Sequence, residues 1–213
     1  MPITYEKTIG TVGIMGGVHS LPTPFVKSLV DMIQFNNEYL LGVNEQIYYD
    51  FADMSYHSMA RNTLAKRMRG EWILMLDTDQ VFEPDTLVRL KWLADSQEID
   101  VITGLYFQKG HPFLPVIFKL DENNRFKNIR SWDKELIPID SAGGGCLFIR
   151  NQILKRLFYQ GFLPFAELEG FSEDHSFFKR LLELGVKSYC ATDVKIDHLA
   201  WQHITEENYN GNH

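Results

Sequence analysis

A chain of 213 residues, 45% of them hydrophobic and 13% aromatic, has enough apolar material for one well-buried α/β domain and too little for two ordinary ones. With 21 basic and 28 acidic side chains the formal net charge is −7, and no long basic run offers a broad cationic face for nucleic acid. The two cysteines, Cys146 and Cys190, lie far apart in strand-like contexts, which suits buried thiols in a reducing cytoplasm better than a disulfide framework or a zinc site.

The N-terminus lacks the basic start and long apolar stretch of a signal peptide. The longest apolar runs, such as Trp72 to Leu76, fall far short of the about 20 residues of a membrane helix, so no transmembrane segment is expected. From there the first half alternates short β-like runs with amphipathic stretches, the pattern of βαβ units. Strands are predicted at Thr11 to Met15, Gln46 to Phe51, Glu71 to Leu76 and Ile99 to Phe107, with helices at Pro22 to Leu40 and Ser55 to Met68. A further helix opens at Glu83-Pro84-Asp85, where proline is tolerated in the first turn and acidic groups suit the helix dipole. The second half carries strand candidates at Pro115 to Leu120, Leu136 to Ile139, Cys146 to Ile149 and Val186 to Ala191, and helices at Asn151 to Tyr159 and Ser172 to Leu184. Asp121 to Lys127 reads as a polar hairpin, and Gly185 sits where a helix C-cap belongs. The organisation expected is one domain over 1–213, with a nucleotide-binding half to about residue 110, a second half to about residue 200 and a polar tail.

Chemistry concentrates in Trp72-Ile73-Leu74-Met75-Leu76-Asp77-Thr78-Asp79, an apolar strand that ends in two carboxylates one residue apart. Open α/β sheets bind ligands beyond the carboxyl ends of their strands. Two carboxylates there can hold a hard divalent cation that neutralises a diphosphate; the plainer alternative is a solvated Asp-rich turn. One element upstream stands Ala60-Arg61-Asn62-Thr63, followed by Gly70-Glu71-Trp72, and downstream comes Val81-Phe82-Glu83-Pro84-Asp85-Thr86-Leu87. Together this stretch resembles the Ala-Arg-Asn…Gly…Asp-x-Asp region of family 2 glycosyltransferases. The resemblance implies an α/β fold of the GT-A type, a Rossmann-like mixed central sheet flanked by helices. It also implies transfer of a sugar from a nucleotide-sugar donor, UDP-linked by preference, assisted by Mn²⁺ or Mg²⁺.

Further blocks fit the same family. Ser141 to Arg150, with Gly143, Gly144 and Gly145, is similar to the glycine-rich turn that leads into a central strand and borders the acceptor; alone it is a flexible turn before a buried strand. Phe171-Ser172-Glu173-Asp174-His175 opens a helix, where carboxylates are commonly dipole partners. The resemblance makes Asp174 the general base, with Glu173 as the fallback. Asp197-His198-Leu199 follows the last predicted strand, and His198 resembles the third metal ligand beside Asp77 and Asp79, with His203 its nearest competitor. Imidazole among the ligands favours Mn²⁺ over Mg²⁺.

Nucleotide contacts are assigned to His19 in the Gly16-Gly17-Val18-His19-Ser20 loop, to Asp53 and Arg61, and to Asp77 between metal and ribose. The loop has neither a dinucleotide fingerprint nor a P-loop. Asp53 also reads as a loop residue or helix cap, and Arg61 as a solvated helix charge or as a partner of diphosphate or base pocket. The Gly16 to Ser20 loop departs from the commonest family pattern, and no clear Gln-x-x-Arg-Trp motif marks a processive polysaccharide synthase. The expected reaction is displacement at the anomeric carbon with inversion. Two rivals stay open: a nucleotidyltransferase of related fold, disfavoured because Gly16 to Ser20 holds no lysine or arginine, and a non-catalytic nucleotide-sugar-binding module. The acceptor is left open among a glycan, a lipid-linked sugar, a small molecule, a protein and a nucleobase hydroxyl. Compact chains of this style also resemble those carried by bacteriophages.

Overall fold

The computed structural model describes residues 7–16, 20–53 and 56–200, and the backbone of 203–204. Its main sheet has the order β12-β11-β5-β10-β3-β1-β2, with β4 and β8 pairing on β11. The first strands are β1 (Lys7–Gly16), β2 (Glu45–Asp53), β3 (Trp72–Asp77) and the short β4 (Gln80–Phe82). Then follow β5 (Val101–Leu105), β8 (Leu136–Ile139), β10 (Cys146–Arg150), β11 (Ser188–Leu199) and β12 (His203–Ile204). A separate three-stranded sheet joins β6 (Ile117–Leu120), β7 (Phe126–Asn128) and β9 (Ser141–Ala142), and contains the expected hairpin. The helices are α1 (Thr23–Tyr39), α2 (His57–Arg67), α3 (Thr86–Ser96), α4 (Asn151–Tyr159) and α5 (Glu173–Glu183).

The main sheet is mixed. Strands β1, β2 and β3 run parallel, and β11 runs parallel to β5, but β10 lies antiparallel between β3 and β5. Both faces of the sheet are covered, so its central strands are continuous apolar runs. In β3, Leu74 and Leu76 pack with Phe25, Met32, Leu87 and Leu90 of α1 and α3. Ile73 and Met75 face the other way, onto Leu64, Leu157, Phe177 and Leu181 of α2, α4 and α5.

Glycine fixes one closure. Gly70 adopts φ +81°, and a Cβ there would lie 2.4 Å from the Ile9 carbonyl carbon, so the turn from α2 into β3 passes hard against β1. Among the described residues, no helix is long and apolar enough to cross a membrane.

Both cysteines are buried and unpaired, as expected. Burial pushes the Cys146 thiol up to about 12 and the Cys190 thiol further still. At pH 8 neither is a thiolate, so a disulfide exchange reagent should label none of the native protein within minutes and both thiols once urea unfolds it. Rapid labelling without denaturant would contradict the packing of β10 and β11.

Last-strand boundaries differ from the sequence reading. The sequence reading ends this strand at Ala191, but β11 continues to Leu199. Pairing with β5 loses register between Ala191 and Lys195, and the strand then pairs with β4, His198 lying opposite Gln80. His198 is therefore inside β11, not beyond it.

Candidate active site

Register carries the chemistry to one edge of the sheet. Met15 lies opposite Asp77 and Gly16 opposite Asp53, so β1, β2 and β3 end together. Because β10 is antiparallel, its amino end meets their carboxyl ends, and the Asp77 amide donates to the Gly145 carbonyl at 3.0 Å. The Leu199 amide donates to the Asp79 carbonyl at 2.7 Å, which sets β11 beside the Asp-x-Asp turn.

At the centre is Arg61, only 2% exposed. Its Nη2 donates to both oxygens of Asp77, at 2.9 and 3.1 Å, its Nη1 to the Gly144 carbonyl at 2.8 Å, and its Nε to Glu173 at 3.4 Å. Burial works against the guanidinium charge, but the carboxylates of Asp77, Glu173 and Asp174 outweigh it and keep Arg61 protonated. The solvated helix charge allowed by the sequence is not what folds. With its donors committed inside the protein, Arg61 acts on the site by tying α2 to β3, the glycine turn and α5.

The glycine turn is shaped by the same group. A Cβ on Gly144 would fall 2.4 Å from Arg61 Cζ, and one on Gly143 would fall 2.0 Å from the Tyr106 hydroxyl. Close approach was expected here, and its partners are buried side chains of the chain itself. Tyr106 accepts from the Gly145 amide at 3.1 Å; burial and the nearby Asp77 charge raise its pKa well above that of free tyrosine.

Asp79 faces the other way. Its Oδ2 lies 3.6 Å from His198 Nε2 and receives the Lys109 ammonium. Burial alone would raise its pKa, yet the neighbouring His198 ring and the Lys109 ammonium hold the carboxyl well below the usual carboxylate range. The other ring nitrogen of His198, Nδ1, lies 2.7 Å from the Phe107 carbonyl. A carbonyl can only accept, so Nδ1 carries the proton and Nε2 is the nitrogen turned to Asp79.

Asp77, expected at a metal with Asp79 and His198, is not gathered with them. Both of its oxygens are turned to Arg61, and among the described residues no group of three or more His, Cys, Asp or Glu side chains is arranged to hold a metal ion. The pair that does face each other is Asp79 and His198, with the Lys109 ammonium on the same Asp79 oxygen. The competitor His203 lies in β12, opposite Leu199.

The two adjacent carboxylates of α5 are separated by their surroundings. Glu173 is buried against Arg61, with His57 Nδ1 at 3.7 Å. Asp174 is more open; its Oδ1 accepts from the Ser172 hydroxyl and, at 2.7 Å, from the His175 amide. Asp53 is exposed at the end of β2, and His19 lies outside the described residues.

Lys109, Gln80 and Tyr106 were not found from the sequence. Gln80, fully buried in β4, points Nε2 to Asp79 Oδ1 at 3.5 Å, and a Cβ on Gly145 would lie 2.7 Å from that same nitrogen. The signal available was position: all three follow strands whose carboxyl ends form the site.

Residues 46–158, more than half of the 213, match the family described as Glycosyl transferase family 2. The chain belongs to that family. This glycosyltransferase shares its fold with A197 from STIV, at 17% identity and a TM-score of 0.52, over 92% of its own length and 93% of that chain. It is similar in fold to S. aureus TarS 1–349 in complex with UDP-GlcNAc, at 18% identity and a TM-score of 0.51. That match covers 87% of this chain and 58% of TarS 1–349. The mixed sheet flanked by helices is the GT-A fold. No curated protein matches the chain.

Proposed function

We propose that this glycosyltransferase moves a sugar from a nucleotide-diphosphate sugar, UDP-linked by preference, to an acceptor hydroxyl with inversion, all 213 residues acting as one domain in the cytoplasm. The observation that carries this reading is the placement of Asp77 and Asp79 at the carboxyl end of β3, with Asp77 and Asp174 near the buried Arg61 guanidinium and His198 beside Asp79. The UDP-GlcNAc complex of TarS, a protein of the same fold, supports the choice of donor class.

Asp79 and His198 would hold a divalent cation, Mn²⁺ or Mg²⁺, which when bound supplies positive charge to the departing diphosphate. Asp77, fixed by Arg61 and partly exposed, is assigned to the ribose, and Asp53 and His19 to the nucleotide as well. Asp174 takes the acceptor proton: Oδ1 is held by Ser172 and His175, so Oδ2 is the oxygen offered to the hydroxyl. Attack by that hydroxyl on the face away from the departing diphosphate would invert the anomeric carbon. Gly143, Gly144 and Gly145, assigned to the acceptor side, leave room for the side chains of Tyr106, Arg61 and Gln80. The acceptor class is to be found by screening glycans, lipid-linked sugars, small molecules, proteins and nucleobase hydroxyls.

The test is a thermal-shift panel of UDP, GDP, dTDP and CDP with Mn²⁺, Mg²⁺ or EDTA. A ligand at 100 times its Kd stabilises the folded state by about 2.7 kcal/mol. One diphosphate should raise the melting temperature in the presence of metal, and Asp79→Ala should abolish the effect. No shift with any nucleotide at millimolar concentration would end the donor-site reading.

A further inference from the structure

Lys109 sits in a closed turn between β5 and β6. The Gln108 amide donates to the Leu114 carbonyl at 2.9 Å, the Phe113 amide to the Gly110 carbonyl at 2.8 Å, and Phe107 bridges to Pro115. The same turn presents the Phe107 carbonyl that fixes the His198 tautomer. Its one ammonium reaches Asp79 Oδ2, the oxygen that His198 Nε2 also faces. A cation thus already lies on the carboxylate oxygen that the proposed site offers to a metal.

We propose that Lys109 is an exchangeable cation of the donor site: it neutralises Asp79 while the site is empty and transfers to a diphosphate oxygen of the donor when a divalent metal takes its place. This rests on the donor-site reading above. Two like charges on one carboxylate oxygen repel, so metal and ammonium exclude each other there. The Lys109 side chain is 43% exposed on a flexible four-carbon stem, so it can leave Asp79 by side-chain rotation while the turn stays closed. The anion that arrives with the metal is the diphosphate, and an ammonium suits it as a point charge.

The inference predicts opposite effects on two ligands, which a loss of structure would not produce. Calorimetry would be run with MnCl₂ alone, with UDP alone in EDTA, and with both, on wild type, Lys109→Met and Lys109→Arg. Lys109→Met should bind Mn²⁺ alone about threefold more tightly, the scale of an exposed ion pair removed. With Mn²⁺ saturating, it should bind UDP about tenfold more weakly, the scale of one charge-assisted hydrogen bond. Lys109→Arg should stay near wild type for UDP. Weakening of both ligands in Lys109→Met, or no change in either, would overturn the proposal. A wild type that fails to bind Mn²⁺ and UDP together would instead remove the donor site itself, before any variant is compared.

Discussion

Arg61→Met should lower the stability of the folded protein by about 3–5 kcal/mol, the range seen when one partner of a buried ion pair is removed. Methionine preserves much of the length and volume of the arginine stem, so the loss reports charge and hydrogen bonding more than a cavity. Left behind would be Asp77 and Glu173, each held by Arg61 in a partly dry site, and the Gly144 carbonyl without its donor. Arg61→Lys should recover only part of the loss, because one ammonium cannot reach three acceptors on different elements. Urea titration measures this as a lower midpoint at unchanged slope. A midpoint within experimental error of wild type for Arg61→Met would show that the carboxylates do not depend on the guanidinium.

The adjacent carboxylates of α5 should fail in different ways. Asp174→Asn should reduce nucleoside diphosphate release from the donor chosen by the binding panel by about 10² to 10⁴-fold, the usual contribution of a positioned general base. Its melting temperature and UDP affinity should stay near wild type, since Asp174 is partly open and the asparagine can keep the bonds from Ser172 and the His175 amide. Glu173→Gln should do the reverse, losing stability through Arg61 with a smaller effect on turnover at low temperature. Unchanged turnover in Asp174→Asn would remove it as the base.

Most of the framework was legible because strong local patterns coincide with it. The apolar run Trp72 to Leu76 reads as a strand buried on both faces, and β3 is that strand. Helix limits were close wherever a proline, a glycine or a change of polarity marked them, as at Pro22 and Gly185. The strands missed were β4, β9 and β12, each of two or three residues, whose pairing is decided by distant partners. The pairing of β4 with β11 joins residues more than 100 positions apart. The break of register after Ala191 is of the same kind, and it hid the true setting of His198.

Site residues divide along similar lines. Asp77 and Asp79 were legible from their spacing after an apolar strand, and Asp174 and His198 from the family resemblance; the structure sets His198 beside Asp79 and turns Asp77 to Arg61. The burial of Arg61 was not legible, because α2 has almost no apolar side of its own and its arginine is pulled inward by Asp77 and by a carboxylate 112 residues away. Lys109 gave no local signal. It matters only because a tight turn after β5 folds back over the end of β3.

The central place of β10 also bears on how the chain is made. Strands β3 and β5 each pair with β10 and not with each other. When a ribosome has released Leu105, both have emerged, but the strand that joins them is still 41 residues from appearing. Through that interval two apolar strands carry open hydrogen-bonding edges, the arrangement most exposed to mispairing with other chains. A fragment ending before Cys146 would keep those edges permanently. The part of the chain before β10 is thus not an independent folding unit, and expressing it alone should give insoluble material, because its own sheet is completed by a later part of the chain.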